Sequence, residues 1–309
     1  MVHKSITIVI PLYNEEKAIP SLIAALSGLS ASLQKLDVIF VDDGSTDGTA
    51  EKLANAPFPT TILSLSRNFG HQAALLAGLE AAKGEIIITM DGDLQHPLSM
   101  IPKMLEAHSN GADIVLTQRI DEDSVGFLKK ETSSLFYKVA NSLSSQKILK
   151  NGSDFRSLNR KALDALLQMP EKRKFLRGMV QWVGFTQIIL PFQTEQRQAG
   201  ESKYTWFKML QLALFGITSF STVPLYLSAF FGFGLFAAAF LYALYVIYIK
   251  LFSAYAVEGW ASVLFVQLLV GGFLSLFLGL IGLYIAAIYD EVKNRPSYIV
   301  ANKTTVKIP

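Results

Sequence analysis

The chain contains no cysteine, which excludes disulfide staples, thiolate catalysis and cysteine-based zinc sites. Charge is scarce: Asp, Glu, Lys and Arg make up 17% of the residues and the net charge is only +3. No block of Lys and Arg interleaved with aromatics occurs, so no nucleic-acid partner is expected. No G-x-G-x-x-G follows the first apolar run and no G-x-x-x-x-G-K-[ST] is present. That removes the dinucleotide and P-loop versions of an α/β fold. The opening apolar stretch "ITIVIPLY" is short, runs straight into Asn14, Glu15 and Glu16, and lacks a small-residue cleavage site, so it does not read as a signal peptide.

Charge is also absent locally. Residues 209–249 and 259–289 contain no charged side chain at all. A bilayer is spanned by about 20 apolar residues, so two membrane spans are expected, near 225–250 and 260–289. Before them, "SKYTWFK" combines Lys203 and Lys208 with Tyr204, Trp206 and Phe207 and then turns apolar, as an interfacial helix does. Pro224 separates this helix from the first span. The loop between the spans holds only Lys250 and Glu258, whereas the N-terminal region and the tail carry the Lys and Arg. The positive-inside rule puts both ends in the cytoplasm. The expected organisation of the 309 residues is a cytoplasmic α/β domain at 1–200, interfacial helices at 201–223, a two-helix membrane domain at 224–290 and a cytoplasmic tail at 291–309. Small residues recur at Gly271, Ser275 and Gly279 and at Ser228 and Gly232. They serve either packing within the helical hairpin or packing between subunits.

The first two-thirds alternate strand and helix patterns. "SITIVIPLY", "LDVIFVDD", "TTILSLS", "EIIITMDGD" and "ADIVLTQR" read as strands. Between them lie "NEEKAIPSLIAALSGLS", "TAEKLANA", "HQAALLAGLEAAKG" and "PLSMIPKMLEAHSNG", which read as helices, the third closed by Gly84 as its C-cap. The alternation predicts a mostly parallel sheet with helices on both faces. The span 126–198 is less regular. In it "KKETSSLFYKVANSLS" reads as a basic amphipathic helix, and "NGSDFRSLNRKALDALLQMP" as a loop leading into a helix capped by Ser157 or Asn159.

Ligands of such sheets bind beyond the carboxyl ends of the strands. Polar clusters stand at those ends: Tyr13 to Glu15, Asp42 and Asp43, Ser66 to Asn68 with Arg67 between, and Asp91 and Asp93. They are expected to share one cleft. Asp91 and Asp93, with a flexible glycine between them, supply hard oxygen ligands suited to Mg²⁺ or Mn²⁺. Gln95 can add an oxygen, while His96 reads as a turn residue before Pro97. Such an ion suits a nucleotide-sugar, whose pyrophosphate bare carboxylates would repel. Asp42 or Asp43 can accept from a base N–H, or one of Asp43, Ser45 and Asp47 caps the next helix. Tyr13 can stack on a base, and Glu15 can reach ribose or base. His71 opens a helix, where it either favours an anion or merely caps.

The motifs "VIPLYNEE", "VDDGSTDGT", "LSRNFGHQAALLAGLEAAKGE", "MDGDLQHP", "SDFR" and "AGESKYTW" together resemble the polyprenyl-phosphate glycosyltransferases of glycosyltransferase family 2, over the whole chain. The resemblance implies a GT-A fold and inverting transfer of a sugar, glucose from UDP-glucose by likeness to bacterial members, to undecaprenyl or dolichyl phosphate. It implies a metal on Asp91, Asp93 and Gln95, and a nucleotide on Pro11, Tyr13, Glu15 and Asp42. Arg119 would face the donor phosphates, Asp154 would stand beside the reacting centre, and Arg197, Gly200, Ser202 and Lys203 would meet phosphate at the membrane edge. Relatives often carry an arginine where this chain has Ser134, so Lys129, Lys130 or Lys138 would replace it. It also implies a homo-oligomer, a tetramer by analogy.

A lipid monophosphate has a second pKa of about 6 and is mostly a dianion at neutral pH. It needs little activation, so Asp154 is expected to act electrostatically or by positioning rather than as a general base. Three alternatives remain: another donor such as GDP-mannose, a processive polysaccharide synthase, and a non-catalytic nucleotide-sugar scaffold. Only "VQWVGF" stands where such synthases carry Q-x-x-R-W, and two spans are too few to enclose a sugar channel.

Overall fold

The apolar run that opens the chain forms β1 (Ile6–Leu12), all seven residues of which are buried. A strand covered on both faces reads as continuous apolar sequence rather than as alternation. Beside it lie β2 (Leu36–Asp42) and β4 (Ile86–Thr89), both parallel to it, and β3 (Thr60–Leu65) continues parallel to β2. The computed structural model describes residues 5–33, 35–120, 149, 152–172, 174–193, 223–252 and 259–306. These divide into two compact units. One comprises the described residues within Met1–Lys138, Gln146–Thr205 and Asn294–Pro309, and the other those within Trp206–Lys293.

The first unit holds an eight-stranded sheet ordered β7 (Gln187–Phe192), β5 (Ile114–Arg119), β6 (Gly152–Asn159), β4, β1, β2, β3 and β8 (Val300–Val306). Helices cover both faces. Ile6, Ile8, Ile10 and Leu12 share one core with α1 (Ile19–Ser32), α2 (Thr49–Leu53) and α4 (Met100–Ser109). The alternate residue Val9 faces α3 (His71–Ala81), which packs so closely that a Cβ on Gly78 would stand 2.2 Å from Val9 Cγ1.

The structure corrects several expectations. "NGSDFRSLN" is not a loop but β6 (Gly152–Asn159), antiparallel to both β4 and β5 (Ile114–Arg119). Its polar residues hid it: Ser153, Asp154, Arg156 and Ser157 are all buried and satisfied by one another or by neighbours. Asn159, not Ser157, caps α5 (Arg160–Leu167), accepting from the Ala162 N–H at 2.9 Å. Helix α6 (Leu176–Trp182) and the strand β7 (Gln187–Phe192), parallel to β5, complete the less regular span. Gly84 caps nothing. Helix α3 ends at Ala81, and Gly84 lies where a Cβ would meet Thr7 Oγ1 at 2.7 Å.

The tail also folds. β8 (Val300–Val306) pairs antiparallel with β3 and forms the edge of the sheet. Ser66 N donates to Ile299 O at 2.9 Å, Ser297 Oγ to Lys172 O at 3.0 Å, and Tyr298 Oη to the Glu80 carboxylate.

The second unit holds α7 (Val223–Phe252) and α8 (Trp260–Val292). Pro224 lies in the first turn of α7, where its missing N–H costs nothing. Among the described residues these are the helices long and apolar enough to cross a membrane, with mean hydropathy 2.1 over Val223–Ile249 and 2.3 over Val266–Val292. An added Cβ at Gly232, Gly271 or Gly279 meets no described atom within 4 Å.

Candidate active site

Strands β1 to β5 run so that their carboxyl ends share one edge of the sheet, and antiparallel β6 begins at that same edge. The polar ends of five strands and the start of a sixth therefore converge.

At β1 and β2 the loops are knitted together. Asn14 sits at φ 53°, and its Oδ1 accepts from Thr46 N at 2.9 Å while its own N–H donates to Ser45 Oγ at 2.9 Å. Glu15 N donates to Thr49 Oγ1 at 3.0 Å, and Glu16 N to Asp47 Oδ2 at 3.2 Å. Asp47 Oδ1 accepts from Thr49 N at 3.1 Å, so Asp47 closes the start of α2. Pro11 is buried in β1, while Tyr13 is exposed beyond its end. Asp42 Oδ1 accepts from Ser45 N at 3.0 Å, a local turn. Asp43 holds the next loop: its oxygens accept from Phe69 N at 2.7 Å and Gly70 N at 2.8 Å. Burial raises its pKa, and those two bonds oppose the rise. Arg67 lies on the Phe69 ring, 4.1 Å from its centroid, and donates to Asn68 O.

At β4 the glycine between the carboxylates is there for space. A Cβ on Gly92 would stand 2.3 Å from Leu12 Cδ2. Leu94 is held at φ 57°, a region a bulky side chain avoids, with its side chain packed on the core. Asp93 Oδ1 accepts from Gln95 N at 3.1 Å, completing the turn. His96 lies in a bend before Pro97, as expected, but points inward. It is buried, stacked on Phe155 at 4.9 Å, and takes Asp91 N–H on Nδ1.

Asp91 Oδ1 is buried and has no hydrogen-bond partner among the described residues. Burial raises the Asp91 pKa, the nearby Asp154 charge adds to the rise, and His71, Arg119 and Arg177 oppose it. No cluster of three or more His, Asp or Glu suited to a metal occurs among the described residues. A small hard cation fits that arrangement nonetheless, because Mg²⁺ and its like take one or two carboxylates and complete their shell with phosphate and water.

Asp154 is the centre of the charge network. Arg177 donates to it side-on, Nε to Oδ1 at 3.1 Å and Nη2 to Oδ2 at 2.7 Å. Arg156, buried like Asp154 itself, pairs with Oδ1 and donates from Nη1 to Leu176 O at 3.1 Å. His71 Nε2 lies 3.4 Å from Asp154 Oδ2 and 3.6 Å from Asp91 Oδ1. Burial opposes the charge on Asp154, but Arg156, His71 and Arg177 outweigh it and hold the carboxyl well below the usual range. Burial likewise opposes the charge on His71, yet its bond to Asp154 and the charges of both carboxylates raise its pKa.

Of the residues singled out in the sequence, the structure brings Asp91, Asp154 and His71 into contact. Arg119 lies close enough for its charge to act on Asp91 and His96. Arg197, Ser202, Lys203, Lys129, Lys130, Ser134 and Lys138 lie outside the described residues, as does the expected interfacial helix up to residue 222. Sequence reasoning missed Arg156 and Arg177. The spacing of Asp154 and Arg156 places both on one face of a strand, a signal hidden by reading that stretch as a loop. Nothing near Arg177 marks it.

The sequence profile of glycosyl transferase family 2 matches residues 7–167. The chain belongs to this family. It is 39% identical over 302 residues to the glycosyltransferase YkcC of Bacillus subtilis, covering 96% of this chain and 94% of that one. It is 39% identical over 300 residues to the prophage-derived bactoprenol glucosyl transferase of Shigella flexneri, covering 96% and 97%. Among solved structures it resembles a mannosyltransferase from Pyrobaculum calidifontis, solved with GDP-mannose and Mn²⁺, at TM-score 0.51 and 17% identity over 94% of this chain and 87% of that one. The glycosyltransferase sheet described here is accordingly a GT-A fold, mostly parallel with antiparallel β6 and β8.

Proposed function

We propose that this glycosyltransferase moves a sugar, glucose from UDP-glucose, onto a polyprenyl phosphate at the cytoplasmic face of a membrane, with inversion at the anomeric carbon. The observation that carries the site is Asp91 Oδ1, buried beside Asp93 at the carboxyl edge of the sheet, which accepts no hydrogen bond from the described residues and has His71 Nε2 at 3.6 Å. The lipid acceptor is supported by the Shigella relative, named for bactoprenol and matched along nearly its full length. The membrane is supported by α7 and α8. A cytoplasmic location for both ends is supported by the distribution of Lys and Arg. It is also supported by β8, which follows both helices yet joins the sheet that precedes them.

Asp91 and Asp93, with Gln95, would hold Mg²⁺ or Mn²⁺. When bound, such an ion neutralises the donor pyrophosphate and the departing nucleoside diphosphate. Tyr13, Glu15 and Asp42 would receive the nucleotide at the ends of β1 and β2, with Pro11 beneath them, Asp43 holding the loop that carries Arg67, and Arg119 facing the phosphates. Arg197, Ser202 and Lys203 would meet phosphate near the headgroups. Asp154 does not serve as a base in this reading. Its two oxygens face four donors and its charge is held by two arginines. A phosphate dianion attacks without one. Asp154 instead fixes its cations around the reacting centre.

The test is a donor panel in detergent micelles. The full chain is mixed with polyprenyl phosphate, Mg²⁺ or Mn²⁺ and each common UDP- or GDP-sugar, and the lipid is followed by mass spectrometry. The expected product forms from UDP-glucose and disappears on chelation and in Asp93→Asn. Transfer from a GDP-sugar alone would replace the donor. Nucleotide binding with no transfer from any donor would overturn the enzyme and favour a scaffold.

A further inference from the structure

Helix α6 carries Arg177 to Asp154, yet it is only seven residues long, and Phe175 before it makes no side-chain cap hydrogen bond. A helix this short does not hold itself, and its first N–H groups have no partner within it. An acceptor comes instead from 104 residues away: Gln72 Oε1 takes the N–H of Leu176 at 3.2 Å. The Leu176 carbonyl takes Arg156 Nη1 at 3.1 Å. Both peptide groups of the residue before Arg177 are therefore fixed from outside α6, and the Leu176 side chain is buried.

Gln72 is held in turn. It lies half-buried in the first turn of α3, directly after His71. The two residues before His71 give their N–H groups to Asp43, Phe69 at 2.7 Å and Gly70 at 2.8 Å. The contacts then close a ring. His71 faces Asp154 Oδ2 at 3.4 Å, and Arg177 grips both Asp154 oxygens, at 3.1 Å and 2.7 Å. The bond from Leu176 to Gln72 joins the helix that carries His71 to the helix that carries Arg177. A side-chain amide suits this place, because it is neutral and accepts the N–H without competing with Asp154 for Arg177.

We propose that Gln72 is a positioning residue, which sets His71 and Arg177 on Asp154 by bonding the start of α3 to the start of α6. Its effect on transfer rests on the function proposed above; its effect on the pairing of Arg177 with Asp154 does not.

Two readouts test this. The first needs no turnover. In the full chain in micelles, NMR follows exchange with water of the Leu176 amide proton and of the Arg177 Nε–H, which donates to Asp154 Oδ1. Gln72→Met keeps the length of the side chain and removes the acceptor. It should speed exchange at both protons by about 10-fold. The second readout is kinetic, with the donor that the wild type uses and farnesyl phosphate as acceptor. In Gln72→Met, kcat should fall about 10-fold or more with the donor KM within about twofold, because geometry and not donor binding is lost. An Arg177 exchange rate as in wild type overturns the proposal, even if the melting temperature falls or Leu176 exchanges faster. So does an unchanged kcat where the wild type transfers sugar. Should Gln72→Met not fold, Gln72→Asn decides by the same criteria, since its amide is a methylene too short to reach Leu176. If wild type transfers no sugar to any lipid phosphate while Gln72→Met still frees the Arg177 Nε–H, the transferase reading fails and the positioning by Gln72 stands.

Discussion

The N–H of Asp91 donates to His96 Nδ1 at 3.1 Å, and the same ring presents Nε2 to Ser153 Oγ at 2.9 Å. Nδ1 can accept only if it carries no proton, so the ring is neutral with its hydrogen on Nε2. The neutral imidazole thus holds the backbone of Asp91, the first carboxylate of the proposed metal site, in place.

Charging His96 would set two donors against each other. Burial, followed by the Arg119 charge, lowers its pKa to about 4. An unfolded histidine titrates near about 6.5, so between these values the unfolded chain holds the extra proton. Stability therefore falls as pH is lowered through that window, by about 2 kcal/mol between pH 6.5 and 5. Asp154, held far below the usual carboxylate range, contributes its own loss only at lower pH. Denaturation at pH 7, 6 and 5 should show this slope. His96→Asn, which keeps an acceptor and cannot titrate, should flatten it; an unchanged slope would move the cause to another group.

Replacing Asp154 by Asn leaves Arg156 buried without its counter-charge, and breaking a buried pair this way costs about 3–5 kcal/mol. The double variant Asp154→Asn with Arg156→Met removes both charges and should regain much of that stability. It should not regain transfer, because Arg177 loses its mooring in both variants. A chemical denaturation series paired with the transfer assay checks this. Recovery of activity with stability would make the carboxylate purely structural.

The legible parts of the fold were those governed by one periodic pattern. β1 to β5 and the helices between them follow apolar runs bounded by turns, and Asp42, Asp91 and Asp93 stand where runs end. β6 was hidden because its burial is polar: Ser153 serves His96, Ser157 serves His108, and Asp154 and Arg156 serve each other. β8 was hidden because an edge strand with exposed side chains has no reason to be apolar, and "VANKTTV" looks like solvent. Arg177 was hidden because its partner is 23 residues away and only folding brings them together. His71 was noticed only as the start of a helix, since the two carboxylates that give it meaning come from other strands.

Two loop glycines with positive φ should respond differently to alanine. Gly44 is at φ +69° and its Cβ would stand 2.4 Å from the Arg67 carbonyl carbon, a backbone atom with nowhere to go. Gly70 is at φ +99° with open space around the same position. Gly70→Ala, at φ 99° and ψ 156°, should cost only backbone strain, about 1–3 kcal/mol. Gly44→Ala should cost that strain and also push apart the two loops that Asp43 ties together, weakening UDP binding as well as lowering the melting temperature. Equal effects of the two substitutions would show that the close approach at Gly44 does not matter.

β8 makes the last prediction. A strand at the edge of a sheet protects the strand inside it, here β3, whose carboxyl end leads through Ser66 and Arg67 to the loop held by Asp43. Deleting residues 297–309 removes the Thr60–Val306 to Leu65–Val300 pairing, the bond from Ser66 N to Ile299 O, and the Tyr298–Glu80 contact. β3 then becomes an open edge of apolar β-branched sequence, which invites association with other chains. Hydrogen exchange should show the amides of Thr60–Leu65 losing protection, UDP affinity should fall because the loop after β3 loses its support, and the truncated chain should aggregate sooner on warming. A tail that merely trails in solvent would be removable with none of these changes. The exchange pattern of β3 separates the two cases directly, because it reads the pairing itself and does not depend on any substrate being bound.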